Sequence, residues 1–153
     1  MAPRTYVRYT QIRRQGTPDV PESDDAYAKG RYFEAVCQAS DQPLDLVRIA
    51  GPSVGGVYNV TKVDITDRTK VPAIGIILDK PTSTTCFVQT KGEVDIVGLI
   101  PGKKYFVGID ARVTSIQPAP DPGQIACAQI IGIALDVSKL LLEPSFNVCV
   151  KVY

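Results

Sequence analysis

From residue 44 onward, apolar and polar positions alternate with the two-residue period of strands. No stretch after residue 40 shows the 3.6-residue period of an amphipathic helix. Leu44, Leu46 and Ile49 lie on a strand expected to end at Gly51-Pro52, and Gly55-Gly56 is a hairpin signal ahead of Val57–Val60. Val63 and Ile65 alternate with Asp64. Ala73–Leu78 is an almost continuous apolar run, the pattern of a strand covered on both faces. Asp79-Lys80-Pro81 is expected to turn it toward a partner at Thr84–Thr90. Pro101-Gly102 is a turn dipeptide, since proline presets the first turn position and glycine tolerates positive φ at the second. Tyr105, Val107 and Ile109 then alternate, and Phe146, Val148, Val150 and Val152 give the last strand one apolar face. Turn signals recur about every 8 to 12 residues, which predicts a sandwich or a closed barrel. Residues 117–124 (QPAPDPGQ) form a stiff exposed loop, because alternating prolines lock φ and remove hydrogen-bond donors.

One stretch repeats. Ile74–Asp79 (IGIILD) returns as Ile131–Asp136 (IGIALD), identical at five of six positions. Both copies precede a turn and a further apolar stretch, Phe87-Val88 and Leu140–Leu142. The repeat predicts two similar hairpins, each with a glycine where strands approach closely.

The N-terminal region is built differently. Residues 1–14 carry Arg4, Arg8, Arg13 and Arg14 and no acid; residues 15–26 carry Asp19, Glu22, Asp24 and Asp25 and no base, with Pro18 and Pro21 among them. Tyr6–Ile12 has high strand propensity. The region reads as an extended arm on an acidic tether, or as a disordered tail that orders on binding. Ser23–Gln38 admits two readings. Ser23 can cap a helix, but Gly30 and the β-prone Arg31–Cys37 favour a strand beginning near Arg31. The organisation expected is an arm and linker over residues 1–26 and a single β-domain over 27–153.

Composition narrows the chemistry. The chain has 153 residues, enough to remove roughly 70% of its unfolded surface from water without a disulfide or metal. Net charge is +1, so no overall field selects nucleic acid or anionic lipid. No apolar run approaches the ~18 residues of a membrane span, and Met1–Arg14 lacks the apolar core of a signal peptide. These features predict a chain made in the cytoplasm, with neither nucleic acid nor membrane as partner. There, the thiols Cys37, Cys86, Cys127 and Cys149 are expected to be small buried apolar residues, and the sequon at Asn59 to be idle. The chain has no histidine, the usual general base and commonest metal ligand.

Motifs with chemical meaning fail on their partners. Gly51–Gly55 matches the G-x-S-x-G nucleophile elbow, but no histidine exists to deprotonate Ser53 and the following residues are strand-like. Gly51–Gly56 imitates a phosphate loop with Val57 where the lysine belongs. Glu93 and Asp95 face the same side of a strand and read as solvated acids, as Lys103-Lys104 reads as a solvated pair. No catalytic, cofactor or metal-binding residue is assigned.

Val71–Ile76 (VPAIGI), Thr85–Val94 (TCFVQTKGEV), Gly98–Gly108 (GLIPGKKYFVG), Ala128–Leu135 (AQIIGIAL) and Leu140–Pro144 (LLLEP) together carry a resemblance. The chain resembles, over about residues 54–146, a β-rich module of tailed-phage virion proteins, notably head decoration (cement) proteins, including those of heat-loving phages. The resemblance implies an all-β, compact barrel, jelly-roll or β-tulip-like domain with an extended N-terminal arm. It implies a homotrimer on the capsid exterior, bound to the major capsid protein where subunits meet, stabilising the expanded head against DNA pressure. The arm, Ala2–Gln15, departs from the module and is where capsid contact is expected. Tyr6, Val7, Tyr9 and Ile12 would be apolar anchors, and Arg8, Arg13 and Arg14 would pair with capsid acids. Two other readings stay open: a fibre or spike module that binds a host receptor, and a small histidine-free enzyme.

Overall fold

The computed structural model describes residues 30–152. They form eleven strands and no α-helix: β1 (Gly30–Val36), β2 (Leu46–Val54), β3 (Val57–Lys62), β4 (Gly75–Thr82), β5 (Thr85–Asp95), β6 (Lys104–Val107), β7 (Val113–Thr114), β8 (Ile125–Ala128), β9 (Ile130–Asp136), β10 (Lys139–Leu142) and β11 (Cys149–Val152). A single 3-10 turn, Arg68–Lys70, is capped by the Asp67 carboxylate. The fold is all-β, as the periodicity predicts.

Nine strands share one sheet in the order β1-β3-β2-β4-β5-β10-β9-β6-β7. Strand β1 also pairs with β5, from Gly30 opposite Gly92 to Val36 opposite Thr85. That pairing closes β1-β3-β2-β4-β5 into a five-stranded ring and leaves the other four strands as an open extension. The seam is the parallel pairing of Ala35 and Val36 with Tyr58 and Asn59, where Phe33 and Tyr58 stack edge-to-face at 5.2 Å. Strand β5, eleven residues long, serves both parts. Its first half pairs with β4 and β1, and its second half pairs with β10 from Gly92 to Asp95.

Two apolar cores follow from this. Ala35, Val47, Val60, Ile77, Cys86 and Val88, drawn from every strand of the ring, pack together with Cys37. Leu46, Ile76, Val94, Tyr105, Val107, Ile131, Leu140 and Leu142 belong to the second core, against the extension. Neighbouring residues on one strand point to opposite faces. So Leu46 and Val47, and Ile76 and Ile77, feed different cores, which is why 73–78 reads as an unbroken apolar run.

Several boundaries differ from expectation. Strand β2 does not stop at Gly51-Pro52 but continues to Val54, with register shifts on either side of Gly51. Those irregularities let Pro52, which has no N–H, sit within a strand. Asp79-Lys80-Pro81 does not turn the chain: β4 runs on to Thr82, again through shifted register, and the turn falls at Ser83-Thr84. Lys80 is held in place because its ammonium donates to the carbonyls of Gln38, Ala39 and Asp41. Ile109 is 76% exposed, since β6 ends at Val107. Cys149 is also exposed: among the described residues, β11 pairs with β8 alone in a two-stranded sheet. Val150 and Val152 therefore turn an apolar face outward.

Other local readings hold. Gly55 and Gly56 both have positive φ, 61° and 82°, between paired Val54 and Val57, as a two-residue hairpin requires. The repeated hexapeptides open two antiparallel hairpins, β4–β5 and β9–β10. A side chain at Gly75 would collide with the Gln89 carbonyl, and one at Gly132 with the Leu141 carbonyl. Both glycines thus sit where a facing backbone leaves no room. The loop at 117–124 contains no strand. Of the Ser23–Gln38 region, the described part is the expected strand.

Candidate functional site

The expected contact residues Tyr6, Val7, Arg8, Tyr9, Ile12, Arg13 and Arg14 lie outside the described residues. Within them the notable surface features are apolar. The β5–β6 loop is tied to the β9–β10 hairpin by four backbone bonds: Ile96 N–H to the Ser138 carbonyl (3.2 Å), Leu99 N–H to that of Val137 (2.9 Å), Gly102 N–H to that of Ala134 (2.8 Å) and Ala134 N–H to that of Lys103 (3.0 Å). Leu99 is the side chain this loop buries, and the Ile100 N–H is satisfied by the Tyr105 hydroxyl at 2.9 Å. With Leu99 turned inward, Val97 is 86% exposed and Val137 56% exposed, with Ile100 and Leu135 also outward. Four large aliphatic side chains thus share one rim. Sequence alternation missed it, because these residues sit in loops and at a hairpin end where the period does not apply.

Ser53 lies exposed within β2, in a strand–turn–strand context rather than strand–turn–helix. The phosphate-loop spacing is the β2–β3 hairpin itself, and the Asn59 side chain is used to donate to the Pro52 carbonyl at 2.9 Å. Asp95 pairs with Lys139 across the β5–β10 ladder, and this hydrogen bond and charge raise the lysine above its ordinary range. Among the described residues no three of His, Cys, Asp and Glu cluster as metal ligands, and no helix is long and apolar enough to cross a membrane. Burial, then a hydrogen bond that the Cys86 S–H makes to Cys37, pushes the Cys86 thiol up to about 12, so it stays protonated.

Comparison with protein-family models, curated proteins and solved structures finds no match to this chain.

The buried polar groups are structural. Gln129 forms a two-way clasp with Ala73, accepting from its N–H and donating to its carbonyl, both at 2.8 Å. Asp45 accepts from the Arg112 guanidinium at 2.8 Å and from the Gln42 N–H at 2.8 Å. Together these clasps tie the loops between β1 and β4 to the extension of the sheet.

Two surface grooves adjoin. One, about 670 Å³, lies beside the proline-rich loop and is lined by Ile109, Ile116, Pro118, Pro120 and Ile125 with Asp110 and Asp121. The other, about 620 Å³, carries Arg48, Lys62 and Lys70 with Asp64 and Asp110. Both include Thr66, Ile109 and Asp110.

Proposed function

We propose that this chain is a non-catalytic structural protein of a tailed-phage head, a decoration protein that seats on the capsid exterior as a homotrimer and holds the expanded shell together. The observation that carries the reading is the exposed rim of Val97, Ile100, Leu135 and Val137 on an all-β domain. It accords with the resemblance to decoration proteins, whose task is to add buried area across subunit seams. Each aliphatic side chain taken out of water contributes roughly 1–2 kcal/mol, and three copies acting together multiply the effect through effective concentration. The arm, with Tyr6, Val7, Tyr9 and Ile12 as apolar anchors and Arg8, Arg13 and Arg14 as cations, adds a strand to an exposed sheet edge of the shell. Full absence of histidine from the chain fits a role without acid–base chemistry.

The test is the copy number of the protein in purified virions, measured by quantitative mass spectrometry against the major capsid protein. A ratio near one, or a fixed simple fraction of that order, is expected. A few copies per hundred would replace the shell-wide cement with a fibre or vertex protein, and absence from the particle would end the virion reading.

A further inference from the structure

The two adjoining grooves differ in charge. The apolar groove has Asp110 and Asp121 in its lining and no lysine or arginine. Its walls expose Ile109 and Ile116, 76% and 75%. The second groove has three bases against two acids. One of the bases, Arg48, has its Nε buried without a hydrogen-bond partner, while its Nη1 donates to the Ile49 carbonyl at 3.3 Å, so one donor of that cation is left unmet.

The chain ahead of Gly30 carries the complementary pattern. Residues 15–26 hold Asp19, Glu22, Asp24 and Asp25 without a base, with Lys29 between them and the domain; ahead of them are Arg4, Arg8, Arg13 and Arg14 without an acid, interleaved with Tyr6, Val7, Tyr9 and Ile12. The geometry points to residues 4–25 docking along both grooves of their own domain. The acidic block lies against Arg48, Lys62 and Lys70, and the arginine-rich, apolar block fills the groove of Ile109, Ile116 and Asp121. Placed the other way round, each block would face its own sign of charge.

Reach permits this. Gly30 pairs with Gly92, Gly92 with Leu142, Leu142 with Gly132 and Gly132 with Tyr105; the next residue, Phe106, pairs with Thr114 on the groove wall. Five ladder steps at ~4.8 Å span about 24 Å. Residues 15–29 extend to roughly 50 Å, which leaves length for the path over the second groove. A tether of this kind holds the segment at roughly millimolar effective concentration, so modest contacts suffice to keep it bound. The docking is a property of the free protein and requires no capsid.

The test uses the full-length chain with a benzophenone amino acid in place of Tyr9, prepared as an equal mixture of ¹⁴N and ¹⁵N copies, irradiated in dilute solution and mapped by mass spectrometry. Cross-links to residues 109–126 within one isotope are expected. In the double variant Ile116→Lys, Asp121→Lys, whose sites are both exposed, the yield should fall at least five-fold. Trypsin cleavage after Arg8 and Arg13 should quicken by a similar factor while Tm holds. Cross-links joining two isotopes, cross-links scattered over the surface, or an unchanged yield in the double variant would each overturn the proposal.

Discussion

An alanine at Gly132 would place its methyl group against the Leu141 carbonyl oxygen, 3.1 Å from the carbonyl carbon and 3.3 Å from the Leu142 Cα. The facing atoms are backbone, so no side chain can swing away. An ordinary carbon–oxygen contact needs about 3.3 Å or more, so β9 and β10 must part by on the order of 1 Å. That separation weakens about two ladder bonds at roughly 0.5–1.5 kcal/mol each and adds about 1–3 kcal/mol of overpacking. The expected destabilisation is roughly 2–5 kcal/mol, a fall in Tm of about 4–20 °C for a chain of this length. Gly75→Ala should behave alike, because its methyl group would meet the Gln89 carbonyl and lie 2.8 Å from Val88 Cγ1. Gly51→Ala is the control: no atom lies within 4 Å of its added carbon, and its φ is not positive. Urea titration of the three variants, with the slope compared to confirm an unchanged unfolding unit, gives the free energies. If Gly132→Ala and Gly75→Ala melt within about 0.5 kcal/mol of the parent, close strand approach is not why the repeated hexapeptides keep their glycine.

Replacing Gln129 with leucine leaves the buried Ala73 N–H and carbonyl without partners, and a loss of roughly 2–4 kcal/mol in the same titration is expected. Hydrogen bonds from the Thr66 hydroxyl and N–H hold the Asp64 carboxyl below its usual 3.8, and Thr69 does the same for Asp67. A depressed folded value means the stabilisation is present above about pH 4 and lost as pH falls through the lowered values. Asp64→Asn with Asp67→Asn should therefore flatten the acid limb of Tm between about pH 2 and 4, as read by circular dichroism. Cys149 is exposed while Cys37, Cys86 and Cys127 are buried, so a thiol reagent at pH 8 should label Cys149 alone in the native protein and all four in denaturant. Deleting residues 2–15 should leave Tm of the β-domain near that of the parent and abolish its protection of heads against heat. Tight head binding by the truncated chain would remove the arm from the mechanism.

Periodicity and turn chemistry carried most of the local structure. The paired glycines at 55–56, the Pro101-Gly102 turn, the proline-rich loop and the two glycine-bearing hairpins are all visible from residue order, because each depends on backbone preferences within a few positions. The bury-both-faces reading of 73–78 was visible for the same reason. Strand limits were less legible. Pro52 and Pro81 suggested ends where the strands instead absorb a proline through shifted register, and whether a ladder tolerates that depends on its partner.

What residue order determined by itself is therefore an all-β domain, preceded in the sequence by a block of four arginines and a block of four acids. Only the tertiary structure decided that β1 returns to β5 to close a ring, since pairings across some sixty residues rest on contacts that no local window contains. It also decided which apolar side chains face water. Val97, Ile109, Val137 and Val152 have the composition of core residues, but they lie at a rim, past a strand end and on a two-stranded sheet where no second layer covers them among the described residues. Exposure of an apolar residue is set by the neighbour that fails to arrive, and that is a property of the packed molecule rather than of the residue.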